Sequence, residues 1–476
     1  MTIEIYNTPY KKKQPFTPLS DNKVGMYVCG VTVYDMCHIG HARSLIVFDT
    51  IARFLRKKGY ALTYVRNFTD VDDKIIARAN RDNISYKEIS ERFIDEFQTD
   101  MEILKVKKAD IEPKATEHIS EIIEMVKNLI DKGLAYEANG SAYFSVAKFK
   151  GYGKLSGRRL EDMIAGARID IEEKKLDPLD FALWKKSKEG EPWWESPWSK
   201  GRPGWHIECS AMSTHYLGPT LDIHGGGRDL IFPHHENETA QSEGVYGQEF
   251  TRYWVHNGFV TIDNDKMSKS LGNFLTIREI TKDIEPEILR LLLLSRHYRS
   301  PIDFSKDSLN TSKSSLIRFY EMLDRFNQAP LGSDDSTLGS MIDTFRHKFD
   351  EAMCDDFNTA LALAHLHELT TEINRALDHT SRVSADDRSN FSAAVSEISE
   401  ILGVLEKEPA GFLEKIKKSG ISETGLTQKE IEELIQSRNE ARKSRDFQKA
   451  DEIRDMLAAK GIQLKDSADG TQWEKT

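Results

Sequence analysis

Four groups of side chains in this sequence have types and spacings that could do chemistry. The first is His38-Ile-Gly40-His41, preceded by Cys29-Gly30-Val-Thr32-Val-Tyr-Asp35. Two imidazoles placed where an extended run hands over to a helix can donate hydrogen bonds to phosphate oxygens, and the helix N-terminus adds free N–H groups and partial positive charge. The second is Lys266-Met-Ser268-Lys269-Ser270. Its two ammonium groups, three residues apart, could neutralise charge that develops on a phosphate chain during phosphoryl or nucleotidyl transfer. The third is Cys29, Cys209, His234 and Glu238, which offer two sulfurs, a nitrogen and a carboxylate to zinc if the fold brings them together. Sequence spacing alone does not show that it does. The fourth is Arg438, Arg442, Lys443 and Arg445, interleaved with acids near the end of the chain. A solvated face is the ordinary reading of such a run, and a nucleic-acid contact the sharper one. Taken singly each group has a bland counterpart: histidines at a helix start cap it, H-x-x-x-E lies on an exposed face, and a lone cysteine is a small buried hydrophobe.

The elements that must position these residues follow from periodicity. Val24, Met26 and Val28 alternate along a strand, Gly30 releases the backbone, and Leu45, Phe48, Ala52 and Leu55 recur at helical spacing until Lys57-Lys58-Gly59. Strand, loop and helix in that order are the unit of a doubly wound sheet. Tyr60 to Val65 predicts a second strand, with Asn67-Phe-Thr-Asp-Val-Asp-Asp73-Lys74 at its carboxyl end, where ligands of open α/β sheets sit or where an Asp caps a helix. Helical patterns run from about 84 to 132, and Asn139-Gly140 predicts a hairpin. The stretch through Trp193, Trp194 and Trp198 reads as an insertion whose aromatics serve as core or lid. The sheet is expected to resume near Gly201, with Leu221 to Asp229 as a strand ending in a glycine-rich loop and Phe232-Pro233 opening a helix that carries His234 and Glu238 on one side. Leu316, Phe319, Tyr320, Leu323 and Phe326 begin a helical region that continues to about 405, broken at Gly332–Ser336, and predicts an antiparallel bundle. After a connector with its own short helix, Thr427-Gln-Lys-Glu430 fits a capping box for the first of two amphipathic helices.

Composition sets the outer limits. With 476 residues and 54.4 kDa there is chain for about three domains. Charged residues make up 30%, mean hydropathy is −0.52, and no run of apolar residues is long enough for a membrane helix, so a soluble protein with no signal peptide or membrane partner is expected. Four cysteines are too few for a disulfide scaffold and point to a reducing, cytoplasmic setting. A net charge of −11 argues against binding nucleic acid with the whole surface, though not against a local basic face.

His38-Ile-Gly-His41 and Lys266-Met-Ser-Lys-Ser270 in one chain, in this order, resemble the class I aminoacyl-tRNA synthetases. Cys29-Gly-Val-Thr-Val-Tyr-Asp35, Gly204-Trp-His-Ile-Glu-Cys-Ser-Ala-Met212, Phe232-Pro-His-His-Glu-Asn-Glu238 and Gly470-Thr-Gln-Trp473 narrow the resemblance to the cysteinyl-tRNA synthetase family, nearly end to end. Val31 departs from the proline of many relatives; it affects loop stiffness and no reactive group. The resemblance implies a Rossmann-type doubly wound parallel sheet of the α/β class, split by a connective insertion and followed by an all-α bundle and a small C-terminal domain. The implied divisions are 1–112 and 201–260 for the catalytic halves, 113–200 for the insertion, 261–315 for the second-motif and stem-contact region, 316–408 for the bundle, 409–425 for a linker and 426–476 for an anticodon module.

The activity so implied joins L-cysteine to cysteine tRNA through cysteinyl-adenylate, with ATP and Mg²⁺ consumed together and no covalent enzyme intermediate. His38, Gly40, His41, Lys266, Ser268 and Lys269 would bind ATP, the two histidines and two lysines acting on its phosphates. Cys29, Cys209, His234 and Glu238 would hold one Zn²⁺ that selects the substrate thiolate. Gly30, Thr32, Trp205, His224 and Asp229 would line the cysteine pocket, while Cys37 and Cys354 are structural. A monomer is implied. The insertion looks too short to be an editing domain. A mycothiol-pathway cysteine ligase resembles the same core but would need no residues 426–476, and small nucleotidyltransferases with a similar H-x-G-H loop are much shorter. An RNA- or metal-binding paralogue without catalysis would be expected to carry a broken motif, and both motifs are intact.

Overall fold

Val24, Met26, Tyr27 and Val28 are buried along β3 (Lys23–Thr32), which lies inside a four-stranded sheet whose strands are all parallel. The structure is a computed structural model describing residues 1–159, 175–263, 265–266, 274–332, 338–379, 382–424, 428–467 and 470–475. A short antiparallel pair, β1 (Glu4–Asn7) and β2 (Lys12–Pro15), precedes β3. β3 passes through α1 (Ile39–Lys57) to β4 (Ala61–Thr69), which pairs along one side of it. Its other side pairs with β9 (Leu221–Gly227), and β10 (Thr251–Asn257) completes the order β10-β9-β3-β4. The chain therefore winds away from β3 in both directions, and the carboxyl ends of β3 and β9 form the switch point where such sheets bind ligands. The α/β, Rossmann-type expectation holds.

Between β4 and β9 the chain leaves this sheet. α2 (Asp73–Asp82), α3 (Tyr86–Ile103) and α4 (Ile119–Asp131) lead into a second, antiparallel sheet of β5 (Ala135–Ala138), β6 (Ser141–Phe144), β7 (Phe181–Lys186) and β8 (Gly201–Pro203). The β5–β6 turn has positive φ at both Asn139 and Gly140, as the hairpin signal requires. Trp184 is buried in this layer, and Trp194 and Trp198 pack against its core, while Trp193 is exposed. Gly201 belongs to β8 of this layer, and the parallel sheet resumes only at Leu221, after α5 (Trp205–Leu217).

A bulge shapes the end of β3. Pairing with β4 shifts between Val28 and Val31, and a Cβ at Gly30 would lie 1.7 Å from the Asn67 carbonyl oxygen. The glycines expected in a loop after β9 instead lie in the strand, paired with Val255, His256 and Asn257. The physical reason is close packing: a Cβ at Gly225 would meet the Phe48 ring at 2.2 Å. α6 (His234–Tyr246) follows β9, and the buried Asp49 of α1 bonds both Arg53, at 2.9 Å, and Arg290.

After β10 come β11 (Val260–Ile262), β12 (Asp265–Lys266), α7 (Ile277–Asp283), α8 (Pro286–Leu294) and β13 (Ile302–Phe304). Further helices are α9 (Lys306–Gln328), α10 (Leu338–Cys354), α11 (Thr359–His379), α12 (Ala385–Leu402) and α13 (Pro409–Thr424). The chain ends in α14 (Gln428–Lys443), α15 (Phe447–Ala459) and the hairpin of β14 (Ile462–Ser467) and β15 (Gly470–Lys475). Thr427, the expected cap of α14, lies outside the described residues. By packing, the chain forms two compact units. One comprises Met1–Lys313, Gly339–Leu369 and Phe391–Val404; the other comprises Ser314–Leu338, Thr370–Asn390 and Leu405–Thr476. Among the described residues no helix is long and apolar enough to cross a membrane.

Candidate active site

α1 begins at the hand-over expected from the sequence, with His38 as its N-cap. His38 Nδ1 accepts from the backbone N–H of Gly40 at 3.1 Å and of His41 at 3.3 Å, and His41 Nδ1 accepts from the His38 N–H at 3.3 Å. The two rings stack with centroids 3.7 Å apart. Capping and anion binding are thus not alternatives here. A backbone N–H can only donate, so both Nδ1 atoms are acceptors, which puts the ring proton of a neutral imidazole on Nε2. Burial pushes the His41 pKa well below the ordinary imidazole value, with the His38 and Lys74 charges adding to the effect.

The segment after the second lysine motif is tied to the same helix start. Ile39 N–H donates to Leu275 O at 3.2 Å, Ile277 N–H donates to Cys37 O at 3.0 Å, and Phe274 meets the His38 ring edge-on at 5.1 Å. Lys266 ends β12 by its backbone, and its side chain is not described; Ser268 and Lys269 lie outside the described residues.

The four dispersed candidates Cys29, Cys209, His234 and Glu238 converge, with their ligand atoms all within 4.8 Å of one another. The bulge in β3 delivers Cys29, α5 delivers Cys209, and one turn of α6 delivers His234 and Glu238, bonded at 2.9 Å from Nε2 to Oε1. Cys29 Sγ lies 3.8 Å from Cys209 Sγ and 3.3 Å from Glu238 Oε1. Burial pushes the Cys29 thiol well up, while the hydrogen bond it gives pulls Cys209 down to about 6. Burial alone would raise Glu238, yet His224 and His234 hold it well below the usual carboxylate range. Against the effect of burial, Glu238 and Cys209 lift His234 to about 10. Two sulfurs, a carboxylate and an imidazole, once the thiols and the imidazole give up their protons, make a donor set that fits a divalent, zinc-like cation.

The remaining pocket candidates lie on these same elements. His224 of β9 bonds Glu238 Oε2 at 2.8 Å and stacks on Trp254. Trp205, at the first position of α5, is 39% exposed and stacks on His234 with centroids 4.2 Å apart, so it is not core packing. Gly30 N–H donates to Asn67 Oδ1 at 2.9 Å, Thr32 ends β3, and Asp229 sits in the turn after β9.

Several partners escaped the sequence reading. His206 Nδ1 lies 2.8 Å from His234 Nδ1, His235 Nδ1 lies 2.8 Å from His256 Nε2, and Asn67 Oδ1 lies 3.7 Å from Cys209 Sγ. His235 also belongs to a second converging group, with Cys29, His224 and Glu238. The only sequence signal for His206 was its place three residues before Cys209 on one helix face. His256 had none. Cys37 and Cys354 are free and buried, apart from this site.

Comparison with known proteins bears on the whole chain. The family model for the tRNA synthetase class I (C) catalytic domain matches residues 15–314, the DALR domain matches 348–406, and the cysteinyl-tRNA ligase anticodon binding domain matches 425–473. A cysteine–tRNA ligase of Geobacter sp. (strain M21) is 54% identical over 481 residues, covering 100% of both chains, and one of Geobacter metallireducens is 53% identical over 484 residues with the same coverage. The chain belongs to the cysteine–tRNA ligase family. The match over 425–473 disfavours the mycothiol-pathway alternative. Among solved structures, the methionyl-tRNA synthetase of Mycobacterium tuberculosis with methionyl-adenylate aligns at a TM-score of 0.62 and 16% identity, covering 86% of this chain and 94% of that one. A putative arginyl-tRNA synthetase of Campylobacter jejuni aligns at 0.57 and 13% identity, covering 83% and 95%. At those identities the likeness speaks for the class I fold alone.

Proposed function

We propose that this chain activates L-cysteine with ATP and transfers the cysteinyl group to the 2′-hydroxyl of the terminal adenosine of cysteine tRNA. The observation that carries the choice of amino acid is the convergence of Cys29, Cys209, His234 and Glu238 at the carboxyl edge of the strand that leads into His38 and His41. In this reading the two Nε2–H groups and the start of α1 grip the triphosphate of Mg²⁺·ATP. They orient its α-phosphorus toward the cysteine carboxylate. Lys266, Ser268 and Lys269 bind the phosphates, and the two lysines offset the charge that grows as pyrophosphate departs. Gly30 and Thr32, at the end of β3, border the amino-acid site; Trp205 covers it, and His224 and Asp229 border it from β9 and its turn. A Zn²⁺ ion held by Cys29, Cys209, His234 and Glu238 supplies a soft acceptor for a thiolate, which the hard, poorly ionised hydroxyl of serine cannot match. Such a difference in bonding exceeds the ~1–3 kcal/mol that a packing difference offers, so no editing step is required.

We further read the protein as a cytoplasmic monomer, a reading consistent with four free cysteines, and residues 426–476 as its anticodon module. The test is cysteine-dependent exchange of labelled pyrophosphate into ATP without tRNA, with serine as control. Exchange with cysteine alone, lost on metal depletion and restored by zinc, is the expected result. Equal exchange with serine, or full exchange after metal depletion, would remove the zinc-based selection.

A further inference from the structure

We propose that Asp100 and Arg278 are positioning residues for amino-acid activation, a pair that fixes His38 against the chain leaving the second lysine motif. The inference rests on the reading of this chain as a ligase that forms an aminoacyl-adenylate, and deepens it, because neither residue belongs to either motif. Asp100 lies in α3 and is fully buried, and Arg278 lies in the first turn of α7. Arg278 Nε donates to Asp100 Oδ1 at 2.8 Å, while its Nη2 lies 2.7 Å from Glu96 Oε2 and 3.2 Å from Glu96 O. The planar fork therefore docks across one turn of α3, a geometry that a single ammonium group cannot reproduce in full.

What the pair holds is the peptide that precedes His38. Burial raises the pKa of the Asp100 carboxyl, and the Arg278 guanidinium and the backbone N–H of Cys37 act against that rise. On its other side Cys37 O accepts from the N–H of Ile277, the neighbour of Arg278, at 3.0 Å. Ile39 N–H donates to Leu275 O at 3.2 Å, and His38 itself pairs with Thr276 in an antiparallel bridge. Thr276 and Glu279 close a capping box that fixes the start of α7, as Ser85 and Glu88 do for α3. One carboxylate thus reaches both the backbone entering the first motif and a side chain just beyond the second. A carboxylate in a buried place is costly unless it is paired, so Asp100 is not filler between helices. Stabilising charge on a phosphate chain requires imidazole and ammonium groups to stand in place beforehand, and a misplacement of about 1 Å can cost ~10²-fold in rate. Cys29, Cys209, His234 and Glu238 arrive on β3, α5 and α6 and do not depend on this joint. Loosening it should therefore disturb the ATP side of the site alone.

The experiment is cysteine-dependent pyrophosphate exchange by the full chain, with rates expressed per adenylate-forming site titrated in the same preparation and zinc content measured beside them. It compares wild type with Arg278→Ala, Arg278→Lys, Asp100→Asn and the double variant Asp100→Asn/Arg278→Ala. Arg278→Ala should lower kcat per site by about 10- to 100-fold, while the KM for cysteine and the zinc per chain stay at wild-type values. Arg278→Lys keeps the bond to Asp100 and loses the fork, so it should regain part of the rate. The double variant should fall no lower than the worse of the two single ones, because the residues act as a unit. A merely structural pair would reduce the number of active sites and leave kcat per site unchanged, and that result would overturn the proposal. So would a rise in the KM for cysteine at unchanged kcat, or single losses that multiply in the double variant. If the wild-type chain itself supports no exchange, the ligase reading fails first, and that outcome is distinct from a loss confined to the variants.

Discussion

Cys29 and Cys209 share a proton unequally: the thiol that gives the hydrogen bond is pushed up by burial, and the one that receives it is drawn down to about 6. A serine at 209 could still receive that hydrogen bond, but its hydroxyl does not ionise at such a pH and is a hard donor. Cys209→Ser is therefore expected to lose zinc by more than the ~10–100-fold typical of an outer-shell partner, with cysteine activation falling in step. Metal analysis of the purified variant decides it, and full zinc content would remove Cys209 from the ligand set. His256 poses a different question. Burial first, then the His224 and Arg228 charges, lower its pKa from 6.5 to about 3. Between those values the unfolded chain holds a proton that the folded chain excludes, so this group's stability contribution is whole above pH 6.5 and is lost as pH falls toward 3. His256→Gln should flatten the pH dependence of unfolding in that window by about 1.4 kcal/mol per pH unit, read from urea midpoints between pH 4 and 6.5. An unchanged slope would mean that His256 carries its proton in the folded state. These residues also show where sequence reading stopped. Cys29, Cys209, His234 and Glu238 could be shortlisted by donor chemistry, but the His235–His256 pair joins two elements with no shared period, so no spacing could reveal it.

At the scale of elements, the end of β3 does the positioning. Gly30 is there because the Asn67 carbonyl oxygen occupies the place a side chain would need, and the same asparagine's Oδ1 takes the Gly30 N–H. The bulge aims Cys29 at the other ligand candidates. Gly30→Ala must move backbone against backbone, so a cost of about 1–3 kcal/mol or more is expected, together with weaker zinc retention. A thermal scan and metal content measured on the same sample test both parts, and a variant with wild-type values in each would show that the bulge is not under steric control. The strand–loop–helix that carries His38 and His41 was legible from alternation, one glycine and a helical repeat. The cap was legible too, though the choice of Nδ1 as the capping atom in both histidines needed coordinates. β9 was only half legible. Gly225–Gly227 read as a loop because glycine weakens strands, whereas Gly225 is needed in the strand by the close approach of Phe48, a ring of α1 that lies far away in sequence.

Across the whole molecule, the α/β class followed from the order of strand and helix periods, while the strand order 10-9-3-4 rests on pairings between residues up to two hundred positions apart. The small terminal module was visible as two amphipathic repeats, and its buried cluster is drawn from its own α14, α15 and hairpin residues. That independence gives the last prediction. In the proposed reading a ligand as long as a tRNA is held both by the catalytic unit and by this module, so each contact would act at the effective concentration set by the other. Removing residues 428–476 deletes one of the two without touching Cys29, His38, His41 or any other residue of the parallel sheet. Cysteine-dependent pyrophosphate exchange should therefore persist at the wild-type rate. The kcat/KM for tRNA charging should fall by about 10² to 10⁴, the range in which linked sites exceed single ones, and mostly through KM. Measured side by side, the two half-reactions separate the possibilities: loss of both would mean that the module is needed for the catalytic unit to fold, and charging at the wild-type rate would mean that the tRNA is selected without it.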